Sequence, residues 1–266
     1  MKKIFMSILG TFIIASSMTL ARSADKQIIF AGSSTIMPIM ESLTPVFKDN
    51  GIPIIIQGGG SSAGIKAVRD GMADIGMVSR SLTVNEQKKY GSFAFAGDLI
   101  VLIVHQSNTS SDVDNAFIKA VYSGKKRQWD NGKNITVISK ENGRATQRVF
   151  EQFFNLFGQI SSKAVIIGAN GQAIASVEND PNAIAYVSYN SAVAAQEAGS
   201  DIKILSLNGA TPSIAAAKSG KYSLTRDLNL VFMLGNTNDI DKIKRVLKQT
   251  KADKVMSHHR VINFGK

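Results

Sequence analysis

The sequence predicts an α/β fold built mostly on parallel sheets. Apolar runs with strand character alternate with stretches of helical periodicity almost throughout the chain. Some runs, such as IPIIIQ at 52–57, are nearly unbroken, as expected of strands buried on both faces. One run, AFAGDLIVLIVHQS at 94–107, is too long for a single average strand, so it predicts a strand that leaves one domain and enters another.

Each element has a local cause. QIIFAG (27–32) reads as a strand ending in glycine. From Ile36 the apolar residues fall at Ile39, Met40, Leu43, Val46 and Phe47, a helical spacing, with Ser33, Ser34 and Thr35 where a cap belongs and Pro38 in the first turn. After IPIIIQ come the glycines of GGGSSAG (58–64) and a short helix over about 62–70, stopped by Gly71. ADIGMVS (73–79) is the next strand. TVNEQKKY begins a polar helix with Thr83 as cap and Glu86 three residues on. DVDNAFIKAVYSG forms a helix closed by Gly124, and ITVIS (135–139) a strand. TQRVFEQFFNLFG (146–158) is amphipathic, with Val149, Phe150, Phe153, Phe154 and Phe157 on one face. KAVIIG, AIAYVSY (183–189), DIKILSL and NLVFML read as strands, and GQAIASVEND as a helix stopped before Pro181. NDIDKIKRVLKQTK is the last clear helix, with Asn238 as its cap.

The N-terminus reads as an export signal. MKK supplies positive charge, IFMSILGTFIIASSMTL an apolar core, and ARSA small residues for cleavage between Ala21 and Ala24; an uncleaved anchor is the alternative. The chain of 266 residues contains no cysteine, which excludes disulfides, a thiolate nucleophile, a cysteine-ligated metal and a lipidated cysteine. An exported chain of this kind is expected to be a soluble periplasmic protein. Formal charge is +11; removing Lys2, Lys3 and Arg22 with the signal leaves about +8, a balance that favours anionic partners.

Three strand-to-helix turns share one composition: AGSST (31–35), GGGSSAG (58–64) and SKENGRAT (139–146). The first N–H groups of a helix lack intrahelical partners, and the helix dipole places positive charge there. Glycine permits close approach and hydroxyls add donors, so such a turn solvates an oxyanion. Neither a Gly-Lys-Ser/Thr nucleotide loop nor a dinucleotide GxGxxG with its acidic ribose partner is present.

GSSTIMPIM, GGGSSAGIKAVRDGMADIGMVSR, SGKKRQW and NAIAYVSYNSA, in that order, resemble the periplasmic phosphate-binding proteins of phosphate ABC transporters in their shorter form. The resemblance spans nearly the whole mature chain. It implies a two-lobed, type II periplasmic-binding-protein fold with two hinge strands, the second falling at AIAYVSY. One lobe would hold 25–103 and 191–266, the other 104–190. It further implies that inorganic phosphate is held dehydrated between the lobes and handed to membrane permease subunits. By family motif the phosphate ligands would be Ser34 and Thr35, then Gly60, Ser61 and Ser62, then Ser79 and Arg80, and finally Lys140, Gly143, Arg144, Ala145 and Thr146. Two departures stand out. Arg80, where part of the family has an acidic residue that accepts the ligand's proton, can only donate. Lys140-(x2)-Gly143-Arg144-Ala145-Thr146 stands where a basic residue and Gly-Ser-Gly-Thr are usual. These leave open sulfate, molybdate or a phosphonate as the anion.

No catalytic residue, cofactor or metal is expected. His105 sits in an apolar strand, and adjacent His258 and His259 lack a third ligand. No GxSxG elbow marks Ser61 as a nucleophile. Trp129 is expected to pack a loop of the second lobe, Arg148 to face solvent, and Asp74 and Asp98 to serve as strand-end partners. A surface- or nucleic-acid-binding role follows only from charge. The basic residues are dispersed and aromatics make up 7%, so a monomer without nucleic acid is expected.

Overall fold

The computed structural model describes residues 27–235 and 238–263, so the expected export signal at 1–24 lies outside the described residues. The chain opens with β1 (Ile28–Gly32), α1 (Met37–Asp49), β2 (Ile54–Gln57), α2 (Ser61–Arg69), β3 (Ile75–Val78), α3 (Val84–Gln87) and β4 (Tyr90–His105). It continues through β5 (Asp112–Val113), α4 (Asn115–Tyr122), β6 (Thr136–Lys140), α5 (Ala145–Phe154), β7 (Val165–Ile167), α6 (Asn170–Glu178), β8 (Ala183–Ser188), α7 (Tyr189–Glu197), β9 (Ile202–Ile204), β10 (Ser206–Leu207) and α8 (Ile214–Lys218). It returns through β11 (Thr225–Met233), α9 (Asn238–Leu247), α10 (Thr250–His258) and β12 (Ile262–Asn263).

The hydrogen-bonded strand order is β2-β1-β3-β11-β4-β8-β6-β7, with β9 and β12 also on β4. β1 pairs in parallel with β2 and β3, and β6 with β7 and β8, as strand–helix alternation demands. Pairings to β4 and β11 are antiparallel. β4 is the strand expected to serve two domains. Tyr90 to Leu99 pair with β11, whereas Ile100 to Val104 pair with β8.

Apolar packing forms two main clusters, one per lobe. One gathers Phe30, Ile39, Leu43, Phe47, Ile75, Ala96, Leu228 and Ile243; the other gathers Leu99 to Val104, Tyr122, Phe150, Tyr186, Leu205, Tyr222 and Leu224. The chain therefore crosses between lobes beside Asp98 on β4 and at the start of β11, where Leu99 faces Thr225 and Asp98 faces Arg226. This differs from the expected second crossing at AIAYVSY. β8 lies between β4 and β6, wholly buried inside the second lobe, and its unbroken apolar run reflects that position. Residues 191–224, expected in the first lobe, instead pack Ala192, Ile202, Leu205, Leu207, Tyr222 and Leu224 into the second cluster.

Two helices also depart from the expected bounds. α5 ends at Phe154 because Asn155 turns left-handed at φ 51°, which leaves Phe157 exposed. The final helical stretch is two helices, α9 starting at Asn238 itself and α10 at Thr250. Trp129 does pack the second lobe: it stacks on Phe117 at 5.7 Å and its Nε1 donates to the Asn182 carbonyl at 2.9 Å.

Candidate anion site between the lobes

The three glycine- and hydroxyl-bearing turns meet at one small cavity. Ser34, Thr35, Gly60, Ser61 and Ser79 come to it from the first lobe, and Lys140, Arg144, Ala145 and Thr146 from the second. The cavity is tight, with a volume of about 10 Å³ for a water-sized sphere, far below the pockets of drug-sized molecules. α1, α2 and α5 all point N-termini at this region, and none carries a side-chain cap. Glycine is required twice over. Gly60 takes φ 95°, and a Cβ there would sit 3.1 Å from Arg144 Cδ of the opposite lobe. Gly64 lets α2 lie on β1, since a Cβ would approach the Ala31 carbonyl to 2.6 Å.

Sequence reasoning missed the residue that organises the cavity. Arg226 on β11 is buried between the lobes, where Nε and Nη2 donate to Asp98 Oδ2 at 3.0 and 2.7 Å. Its Nη1 donates to Thr146 Oγ1 at 2.8 Å and its Nη2 to Thr35 Oγ1 at 3.0 Å, so one guanidinium holds a hydroxyl from each lobe. Asp98 also accepts from Ser188 Oγ at 2.9 Å. Burial raises the Asp98 carboxyl, and the guanidinium and the hydroxyl oppose that rise. Asp98 is thus the buried half of a hinge ion pair rather than a strand-end partner.

These bonds fix which way the hydroxyls can act. Each has one hydrogen and two lone pairs. Thr35 Oγ1 accepts from Arg226 and, at 3.4 Å, from Asn170 Nδ2. Ser61 Oγ accepts from the Ser79 amide at 3.1 Å, and Ser79 Oγ from Ser33 Oγ at 2.9 Å. Thr35 thus has both lone pairs engaged, whereas Ser61, Ser79 and Thr146 have one engaged and one left; all four keep a hydrogen to donate. Neither His, Asp nor Glu lines it among the described residues.

Lys140, the last residue of β6, completes the lining. Its backbone N–H donates to Tyr186 Oη at 3.2 Å, while Nζ is buried and is the one buried side-chain polar atom without a hydrogen-bond partner among the described residues. Desolvation, then Arg226, then Arg144 push the ammonium down to about 7, against an opposing pull from Glu141. Arg226 is neutralised by Asp98, and Arg144 by Glu141, whose Oε1 lies 2.7 Å from Arg144 Nε. Lys140 is left without such a partner, and it lines the same cavity as the hydroxyls. A consequence follows for stability. With the folded value near 7 and the unfolded value near 10.5, the unfolded chain binds more protons between them, so stability without added anion rises with pH across that window. Lys140→Met is expected to remove this rise and to stabilise the protein at pH 7 by a few kcal/mol, on the order set by such a shift; urea melts at pH 7 and 9.5 measure both effects.

The remaining expected ligands lie elsewhere. Ser62 and Gly143 form a rim contact, the Ser62 amide donating to the Gly143 carbonyl at 3.2 Å across the lobes. Arg80 does not line the cavity. Its Nη1 and Nη2 donate to Glu86 Oε2 and Oε1 at 2.7 and 2.8 Å, and the same Glu86 closes the capping box of α3 with Thr83. That fork consumes the charge expected to reach the anion, and it holds Glu86 down at about 2. Asn170 and Gly168 are lining residues that the sequence did not single out, and Ser33, expected there only as a cap, lines the cavity as well. His105 bonds Ser107 Oγ at 2.8 Å, and His259 bonds Ser42 Oγ at 2.8 Å, both away from the cavity.

A cavity built from helix N-termini of two lobes, with a buried ion pair at the crossing strands, can be set against known proteins. The PBP superfamily domain matches residues 19–249. The chain belongs to that superfamily. Among PBP relatives, the phosphate-binding protein PstS 2 of Streptococcus pneumoniae is 43% identical over 101 residues, 37% of this chain. That match spans only about a third of the relative's length, 35%. Phosphate-binding protein PstS of Staphylococcus aureus is 27% identical over 215 residues, covering 74% of this chain and 65% of the relative. A substrate-binding protein of Clostridium perfringens, solved with phosphate bound, superposes with a TM-score of 0.82 at 24% identity over 90% of this chain and 99% of its own. An ABC-type phosphate transport receptor of Vibrio cholerae gives 0.73 at 23% identity over 89% and 99%. These structures establish the two-lobed PBP fold.

Proposed function

We propose that this protein is an extracytoplasmic solute-binding protein that captures inorganic phosphate between its lobes and delivers it to the permease subunits of an ABC importer. The observation that carries this reading is the buried, unpartnered Lys140 Nζ on a cavity lining that it shares with hydroxyls from both lobes. Such a lining offers charge-assisted donors to a small oxyanion and little to a neutral or cationic solute. The relatives, which are phosphate-binding proteins, point the same way. Ser34, Thr35, Gly60, Ser61, Ser79, Lys140, Arg144, Ala145 and Thr146 are the proposed ligands, with Asn170 added. Ser62 and Gly143 serve as a rim tie between lobes and Arg80 as the anchor of α3. Lobe 1 is taken as 27–98 with 225–263, and lobe 2 as 99–224.

Binding rather than catalysis is proposed, because among the described residues no imidazole or carboxylate lines the cavity beside the hydroxyls to act as a base. Among the described residues no helix is long and apolar enough to cross a membrane. With the export signal read from the sequence, a periplasmic monomer is the proposed form. A second hollow, lined by Lys126, Arg127 and Lys163, is a poorer candidate. Lys126 is already paired with Asp130 at 3.0 Å, and the Arg127 Nε donates to the Gly124 carbonyl.

A thermal-shift panel tests the proposal. Phosphate at about 100 times its Kd is expected to add roughly 2.7 kcal/mol of stability. A shift with phosphate or arsenate and none with oligonucleotide is the expected pattern. A shift with oligonucleotide alone would favour the charge-driven surface role instead.

A further inference from the structure

The motif SGKKRQW (123–129) has no part in the interlobe cavity, and it sits in the most basic stretch of lobe 2. Between 119 and 133 stand five cations, Lys119, Lys125, Lys126, Arg127 and Lys133, against one carboxylate, Asp130. Lys163, before β7, makes a sixth. That excess of five is more than half of the roughly +8 left once the export signal is set aside. The fold then brings Lys126, Arg127 and Lys163 onto the wall of one hollow. It opens between the end of α4, the start of β6 and the segment before β7. Lys140 closes β6 four residues beyond Thr136, about 13 Å away, so the hollow and the interlobe cavity lie at opposite ends of the strand.

Backbone bonds fix its walls. The Ser161 amide donates to the Tyr122 carbonyl and the Ile135 amide to the Arg127 carbonyl, both at 2.8 Å. Gly124, at φ 76°, lets the end of α4 lie against Ser161, whose Oγ a Cβ would meet at 2.9 Å. The volume is about 420 Å³ for a water-sized sphere, room for more than a single phosphate. Among the described residues no carboxylate lines it. Arg127 commits only Nε, to the Gly124 carbonyl at 3.0 Å, which leaves four N–H hydrogens for a ligand. Lys163 Nζ has no ion-pair partner among the described residues. Lys126 pairs with Asp130 at 3.0 Å, but Asp130 is 94% exposed, and a pair of that kind is weak and exchanges for a better anion.

Exposed cations hold one small anion poorly, because water and salt screen each contact. Anionic groups linked within one ligand engage several cations at once, and the second contact then forms at high effective concentration. We propose that this hollow is a second anion site, taking ligands that carry two or more linked phosphates: a short polyphosphate chain or the headgroup of a phosphorylated lipid. Arg127 and Lys163 are its principal donors, and Lys126 joins them when Asp130 is displaced. Thr136 and Ser161 add hydroxyls to the lining. Orthophosphate alone binds there weakly, so the two sites divide anions by charge and size.

Calorimetry with tripolyphosphate, in saturating orthophosphate, tests the proposal. One tripolyphosphate per protein is expected. Arg127→Gln/Lys163→Gln should weaken it about tenfold, the effect of losing two exposed charge contacts, and leave the orthophosphate Kd unchanged. Lys248→Gln/Lys254→Gln, which removes two exposed cations far along the chain, should change neither. Flotation with phosphatidylcholine vesicles, with and without cardiolipin, separates the two sources. Capture by cardiolipin vesicles that is lost in Arg127→Gln/Lys163→Gln assigns the site to a lipid headgroup, and tripolyphosphate binding without capture assigns it to a free chain. Absence of tripolyphosphate binding would overturn the proposal. So would an equal loss in both double variants, which would trace binding to diffuse surface charge. Failure of orthophosphate to bind between the lobes would leave these outcomes unchanged, since they concern lobe 2 alone.

Discussion

Replacing Arg226 by alanine is expected to lower stability by about 3–5 kcal/mol, the cost of leaving a buried partner charge uncompensated. The basis is geometric. Asp98 and Arg226 have side-chain exposures of 0% and 1% and meet at 2.7 Å on paired positions of the two crossing strands. Without the guanidinium the carboxylate must either stay charged in an apolar interior or take up a proton. For a chain of this length the loss corresponds to a Tm lower by roughly 10 °C. The double variant Asp98→Leu/Arg226→Met separates the two roles of the pair. Apolar replacement of both members is expected to restore most of the stability. Phosphate affinity should remain low, because Thr35 and Thr146 lose the donor that turns their hydrogens toward the cavity. Urea denaturation of wild type and both variants reads the first effect and calorimetry the second. Equal stability of Arg226→Ala and wild type would mean that the pair does not hold the crossing strands.

Ser61→Ala combined with Thr146→Ala carries the largest expected effect on binding. One hydroxyl comes from each lobe, and each is oriented by a buried donor, the Ser79 amide in one case and Arg226 in the other. A hydrogen bond to a charged group contributes about 1.5–3 kcal/mol, so losing two should weaken the phosphate Kd by roughly two to four orders of magnitude. Thr146→Ala also leaves an Arg226 N–H unpaired, so a small loss of stability should accompany it, well below that of Arg226→Ala. An unchanged phosphate Kd in this variant would reject the proposed site.

Much of this arrangement was legible in the sequence, because its cause is local. A turn such as GGGSSAG declares itself by residue type: glycine for approach, hydroxyls for donation, and a helix start just behind. Three such turns on strands of one sheet system had to open toward the same end of it, and they do. The hinge pair was not legible, since its members stand 128 positions apart and meet only through the pairing of β4 with β11. A signal was nonetheless present. Asp98 interrupts the run AFAGDLIVLIV, and a carboxylate inside such a strand requires a buried cation. What the sequence could not supply was which arginine answers it. Arg80 misled for the opposite reason: position suggested the anion, but Glu86, six residues on, was within reach of the guanidinium. The second crossing was misplaced because continuous hydrophobicity marks burial on both faces, and a central strand such as β8 shows it as fully as a strand passing between lobes.

The central claim is that the cavity where α1, α2 and α5 begin holds a tetrahedral oxyanion. Diffraction from crystals grown with arsenate, at the arsenic absorption edge, tests it most directly. One anomalous peak is expected, within hydrogen-bond reach of Ser61 Oγ, Thr146 Oγ1 and Lys140 Nζ. A peak on the hollow beside Lys126, Arg127 and Lys163 instead, with none between the lobes, would contradict the account.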